Sequence, residues 1–208
     1  LGVDLLSCTA HKLGGPRGIG LLLRRRGLPL LPQIGGAQEG GLRGGTEAAV
    51  LAAGFAQALE EASMRLRSHG GLDPLAGLRD PLLDRLLQLP GVSLSGPAPG
   101  DQEGRLPHHI SLVVSSEAGD PLPGRELVRA LWRQGLAVSS GSACSAIVTP
   151  GSRGGGSAVL RALGHPEPFC ASGLRISLGP WLCSGNLERV PAALDRARRE
   201  LEGFAWGH

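Results

Sequence analysis

The spacing of apolar positions changes several times along the chain, and each spacing predicts an element. Two short apolar runs, residues 3–8 and 18–24, flank a glycine-rich turn, His11-Lys12-Leu13-Gly14-Gly15-Pro16-Arg17-Gly18, and read as a pair of strands. A Pro/Gly-rich loop follows at 27–45. Leu51, Phe55, Ala58, Leu59, Ala62 and Leu66 then recur at helical spacing and predict a helix from Thr46 to about Ser68. Gly70-Gly71 ends that helix and reads as a domain boundary. Leu75, Leu78, Leu82, Leu86 and Leu89 line a second helix over 74–89. A short strand is expected after Pro90-Gly91, a polar loop at 96–105, a strand at 110–114, and a helix over about 123–134. Ala137-Val138 leads into the small-residue segment Ser139-Ser140-Gly141-Ser142-Ala143-Cys144-Ser145, followed by a loop at 149–157 that is expected to be mobile. A helix at 158–163, an alternating strand at 174–178 and a helix at about 187–203 complete the chain. Pro191 is expected to delay or kink the first turn of that last helix. The order is mixed α/β, without internal repeats.

Composition sharpens this picture. Apolar residues make up 41% of the 208 positions, enough for a packed core. The 34 glycines and 16 prolines approach a low-complexity level, but helical periodicity survives between them. A formal charge of +3 is too mild to suggest nucleic acid. The apolar runs are far too short to span a membrane, so no membrane partner is expected. Four cysteines at 8, 144, 170 and 183 contain no C-x-x-C pair and match neither a zinc knuckle nor a secreted disulfide framework. No metal is therefore expected, and a reducing cytoplasm is the expected compartment. The chain opens on Leu1-Gly2-Val3-Asp4-Leu5-Leu6, which reads as a buried strand, an unusual place for a domain to begin. A fragment is the expectation.

The candidate chemistry starts from one residue. Of the 21 Lys+Arg, only Lys12 is a lysine. A bias that replaces charge-carrying lysines by arginine leaves this one conspicuous, because a primary amine forms a Schiff base and a guanidinium in practice does not. Thr9 and His11 stand beside Lys12, and the glycines after it allow close backbone approach, a set that suits an aldehyde cofactor bearing a phosphate. Glu39-Gly40-Gly41-Leu42-Arg43-Gly44-Gly45-Thr46 runs into a helix and offers backbone N–H groups and a hydroxyl to an anion, with Thr46 also readable as an N-cap. Cys144 sits among small residues before a Gly-rich loop, as an exposed nucleophile would, although a buried structural thiol is the other reading. Cys8, Cys170 and Cys183 read as buried structural thiols. Arg175 interrupts the apolar strand Leu174–Leu178 and is suited to capture of a carboxylate, although an outward-facing strand arginine reads equally well.

In this order the motifs resemble the cysteine desulfurases, class V aminotransferase-like enzymes of fold type I: Ala-His-Lys…Gly-Pro-x-Gly-Ile-Gly, Glu-x-Gly-x-Arg-x-Gly-Thr, Ser-Ser-Gly-Ser-Ala-Cys, Val-Leu-Arg-Ala-Leu-Gly and Leu-Arg-Ile-Ser-Leu-Gly. The resemblance covers the C-terminal half of that family's pattern. It implies an α/β fold in which residues 1–69 are the C-terminal part of a pyridoxal-phosphate-binding large domain and 70–208 a small α+β domain carrying the cysteine loop. It implies that Lys12 binds pyridoxal 5'-phosphate covalently and shuttles protons, that Thr9 and His11 bind its phosphate, and that Thr46 reaches the phosphate held by the partner of a homodimer. It implies that Cys144 takes sulfur from L-cysteine as a persulfide, releasing alanine, and that Arg175 binds the substrate carboxylate. An iron–sulfur scaffold or another sulfur-acceptor protein is then the expected recipient. The family's Pro-Asn-Ile-x-Asn stretch stands here as Pro107-His108-His109-Ile110-Ser111. The family's first half, with most of the cofactor contacts, is absent, so the chain alone is expected not to turn over cysteine. Two rival expectations stand beside this one: a related enzyme such as a selenocysteine lyase or aminotransferase, and an inactive remnant serving dimerisation or sulfur relay.

Overall fold

The computed structural model describes residues 2–98, 104–141 and 156–205. They fall into two compact units, Leu1–Asp73 and Pro74–His208.

In the N-terminal unit, β1 (Leu5–Thr9) pairs antiparallel with β2 (Gly20–Arg24), with Leu5 opposite Arg24 and Thr9 opposite Gly20. Between them lies a single 3-10 turn, Ala10–Leu13, which ends on Gly14 at φ 88°. That left-handed value is the reason a glycine follows the turn. Ala10 is fully buried, donates to the Ile19 carbonyl at 3.2 Å and accepts from the Gly15 N–H at 2.9 Å. Helix α1 (Ala49–Ser68) packs on this turn through small residues. A Cβ on Gly15 would lie 3.2 Å from that of Ala58, and one on Gly54 would lie 3.1 Å from the Pro16 ring. The strands themselves are not buried as the apolar run at the chain's start suggests: Leu22 is 50% exposed and Leu23 55%. Two strands form the whole of this sheet among the described residues, so too little layer exists to cover both faces.

Helix α1 also begins three residues later than its apolar spacing predicts. Ala48 is the N-cap, with no side-chain cap bond, so Thr46 caps nothing. The preceding loop folds back on itself instead. The Gly44 N–H donates to the Ile34 carbonyl at 3.1 Å, and the contact is so close that a Cβ on Gly44 would fall 1.9 Å from the Gly35 oxygen. Gly45 then takes φ 99°, which holds the chain out of a helical path before Thr46. At the far end, the Gly71 N–H donates to the Leu66 carbonyl at 2.7 Å, with Gly70 and Gly71 both at positive φ, a glycine stop of the usual kind.

The C-terminal unit is built on a three-stranded antiparallel sheet in the order β3 (Val92–Leu94), β4 (His109–Val114), β5 (Gly173–Ser177). Alternation along β4 and β5 sends Ile110, Leu112, Leu174 and Ile176 into one core. Leucines of α2 (Leu75–Leu87), Leu127 and Leu131 of α3 (Gly124–Arg133), and Leu194 of α6 (Val190–Ala205) complete it. A satellite cluster on the other face joins Val113 to Leu160 of α4 (Ala158–Ala162) and to Cys170. The expected last helix is α6, with Pro191 in its first turn, where a missing N–H costs nothing, and a short unexpected helix, α5 (Ser184–Leu187), precedes it. Two arginines are buried to 1% exposure, and each has carboxylate partners close in sequence. Arg79 donates to Asp80 at 2.7 Å and to the Leu106 carbonyl at 2.9 Å, tying α2 to the segment before β4. Arg198 pairs with Asp195 at 3.1 Å and with Glu202 along α6. No helix among the described residues is long and apolar enough to cross a membrane.

Candidate functional site

The turn between β1 and β2 concentrates three chemical functions in four residues. Thr9 ends β1, and its Oγ1 lies 2.9 Å from His11 Nδ1. Lys12 follows on the 3-10 turn, and both His11 and Lys12 are exposed. Among the described residues no carboxylate pairs with Lys12, so its amine is not committed to an ion pair within this unit. The burial of Ala10 against α1 and the left-handed Gly14 fix the turn, and that fixes where the three side chains project. A hydroxyl, an imidazole and the chain's single primary side-chain amine, with no acid between them, are a donor set fit for a phosphate and an aldehyde on one molecule. The residues present therefore fit pyridoxal phosphate.

Thr46 lies in the same unit, exposed, at the end of the 34–46 loop. That loop is braced by the Gly45 N–H on Gln38 Oε1 at 3.2 Å and by Arg43 Nη1 on the Gly44 carbonyl at 2.7 Å. Among the described residues no hydrogen bond joins Thr46 to Thr9, His11 or Lys12.

Arg175 belongs to the C-terminal unit. It stands mid-strand on β5, directly opposite Ser111 of β4 on one side and bridged to Ser139 on the other. Residues paired across antiparallel strands share a face, so Ser111, Arg175 and Ser139 form a polar row on the side away from the main core. The Ser139 N–H donates to the Arg175 carbonyl at 3.0 Å, and the Arg175 N–H donates back at 2.6 Å. Arg175 is half-buried, and among the described residues its side chain makes one hydrogen bond, a long 3.4 Å contact to Ser139 Oγ. Among the described residues no carboxylate pairs with it. Arg79 and Arg198, by contrast, each pair with a carboxylate. A half-buried cation without a counter-ion is suited to receiving an anion.

The segment after Ser139 leads toward Cys144, which lies outside the described residues, as does most of the 149–157 loop. The other thiols depart from the expectation that all three are buried. Cys170 is buried in the satellite cluster. Cys8 is half-exposed, and Cys183 is exposed and caps α5 together with Asn186, whose Oδ1 is 3.1 Å from the thiol. A cysteine at an N-cap carries no apolar pattern, so the sequence offered no sign of it. Under brief alkylation of the native protein Cys183 should label and Cys170 should not. Peptide mass spectrometry checks this, and rapid labelling of Cys170 before denaturation would contradict the packing described. Among the described residues no cluster of His, Cys, Asp or Glu is placed to hold a metal.

Sequence patterning did not single out His109. It is half-buried on β4, opposite Ser177, two positions from Ser111. Burial holds its pKa below the usual histidine value, helped by the positive charges of Arg175, His108 and Arg105.

The family described as aminotransferase class-V matches residues 1–190. A cysteine desulfurase IscS of Dictyoglomus turgidum is 32% identical over 203 residues, covering 97% of this chain and 48% of the relative. The cysteine desulfurase IscS of Methylococcus capsulatus is 36% identical over 192 residues, covering 90% and 43%. A solved NifS-like protein superposes with a TM-score of 0.72 at 27% identity, over 97% of this chain and 47% of that one. The chain spans about half the length of the curated relatives it matches.

Proposed function

Because the chain belongs to the class-V aminotransferase family, matched over residues 1–190, we propose that it forms the cofactor-lysine turn and cysteine-bearing unit of a pyridoxal-phosphate-dependent cysteine desulfurase. The observation that carries this is the Thr9–His11–Lys12 turn. It presents the chain's sole lysine beside a hydroxyl–imidazole pair, in a chain whose curated relatives bear the name cysteine desulfurase.

Pyridoxal phosphate, when bound, supplies an electron sink conjugated to the substrate α-carbon. The chain's own residues do the rest. Lys12 Nζ holds the cofactor and moves a proton at the α-carbon. Thr9 Oγ1 and His11 hydrogen-bond the phosphate. Arg175 orients the amino acid by its carboxylate. Cys144, as thiolate, accepts the sulfur atom and keeps it as a persulfide. Thr46 serves the phosphate held by a second subunit, so the working form is a homodimer, and an acceptor protein, an iron–sulfur scaffold foremost, takes the sulfur. The reducing setting needed for a free persulfide fits a cytoplasmic enzyme.

The full natural polypeptide with added cofactor should release one alanine per sulfur taken from L-cysteine. The 208-residue chain by itself should not. Amino-group exchange between alanine and a keto acid, without sulfur release, would overturn the reading in favour of an aminotransferase. Multiple turnovers by the 208-residue chain alone would show that these residues suffice to hold the cofactor ring.

A further inference from the structure

We propose that His109 is a second donor to the substrate carboxylate, acting beside Arg175 on the polar face of the β3–β4–β5 sheet and setting preference for substrates that carry an α-carboxylate. The inference rests on the carboxylate role assigned to Arg175 above and adds a residue from the stretch Pro107–Ser111, where the chain departs from the family's pattern.

The register carries it. Ser111 faces Arg175 and His109 faces Ser177 across β4 and β5. His109 and Arg175 are thus diagonal neighbours, about 7–8 Å apart along the face, a spacing that long side chains bridge. Both are half-buried, while Ile110 and Leu112 between and beyond them point into the core. Among the described residues, the satellite cluster of Val113, Leu160 and Cys170 covers this face at one end only. The other end presents imidazole, guanidinium and the hydroxyls of Ser111 and Ser139, with no acid among the described residues there. Such a group of donors around one unpaired cation matches the two oxygens of a carboxylate: the guanidinium takes one edge, and the imidazole N–H takes the remaining lone pairs.

The groups facing His109 also give a sign for pH. Arg175 on β5, and His108 and Arg105 on the chain leading into β4, repel its protonated form, and burial adds to this. The free protein therefore holds His109 neutral at neutral pH. An incoming carboxylate supplies the missing counter-charge and favours protonation. By linkage, carboxylate binding tightens as pH falls toward the lowered pKa of His109 in the free protein.

The test is calorimetric binding of L-alanine, the product, to the cofactor-loaded full natural polypeptide at several pH values, with alaninamide as the probe lacking a carboxylate. His109→Ala should weaken alanine about three- to tenfold and leave alaninamide unchanged. His109→Gln keeps a donor but does not titrate, so it should restore affinity at pH 7 and lose the tightening at lower pH. Equal losses for alanine and alaninamide, or no loss in His109→Ala with unchanged thermal unfolding, would overturn the proposal. Failure of the desulfurase reading shows separately, as absence of sulfur release from cysteine by the unsubstituted protein. Alanine binding still reports on His109 in that case.

Discussion

Lys12→Arg should abolish covalent attachment of the cofactor. When the full natural polypeptide is loaded with pyridoxal phosphate, reduced with borohydride and digested, the peptide spanning residue 12 should carry the reduced cofactor in the parent protein and nothing in the variant. Arginine keeps the positive charge and nearly the same reach. Its guanidinium stays protonated at any working pH and offers no free amine to an aldehyde. The fold gives little reason for a structural loss. Lys12 is exposed on a turn fixed by Ala10, Gly14 and Gly15 rather than by its own side chain, and exposed substitutions of this kind usually change stability by less than about 0.5 kcal/mol. A melting temperature close to the parent's, with the label gone, isolates the chemistry. Label persisting at parental levels on any other residue of the variant, or absent from Lys12 in the parent, would remove Lys12 as the cofactor lysine. Thr9→Ala gives a graded counterpart: the link should still form, because the amine remains, while retention of the phosphate-bearing cofactor weakens.

How much of this was legible beforehand depends on whether an element repeats. Helices α1, α2 and α3 and strands β4 and β5 run long enough for their apolar periods to show, and the structure has them at the expected places. Single turns have no period to read. The 3-10 turns at Ala10–Leu13, Glu39–Gly41 and Glu167–Ala171, and the four-residue α5, were invisible for that reason. The start of α1 was misplaced because Thr46 looks like an N-cap, while the tight loop packing of Gly44 on Gly35 decides where a helix can begin. The apolar run of β1 tells what the strand is able to bury, and the covering layer decides what it does bury. Nothing in the local pattern marks Arg79 and Arg198 as buried, because the segments that cover them come together only on folding. In the candidate site, lysine scarcity singled out Lys12. The Arg175 alternation put that residue on the polar face, but the company it keeps there, His109, Ser111 and Ser139, comes from strand register, which no local pattern encodes.

Cys144→Ser should leave substrate binding intact and abolish persulfide formation. With sulfur-labelled cysteine, the full natural polypeptide should carry label on the peptide containing residue 144, released by a reducing thiol. The serine variant should carry none above background. A hydroxyl is a very weak nucleophile toward sulfur, and at neutral pH it furnishes almost no anion, whereas a thiol furnishes a reactive thiolate. The Lys12 turn is untouched and serine is smaller than cysteine, so cofactor attachment at Lys12 and calorimetric binding of alanine should match the parent. The remaining thiols supply the control. Cys183 is exposed and hydrogen-bonded to Asn186, Cys8 is half-exposed on β1, and Cys170 is sealed beneath Leu160 and Val113. If exposure alone made a thiol accept sulfur, Cys183 would label in the variant. If position relative to the substrate decides, it stays unlabelled despite its access to solvent. Label on Cys183 or Cys8 in Cys144→Ser, at the parent's level and with the parent's rate, would transfer the acceptor role to that residue and leave Cys144 as an ordinary loop thiol.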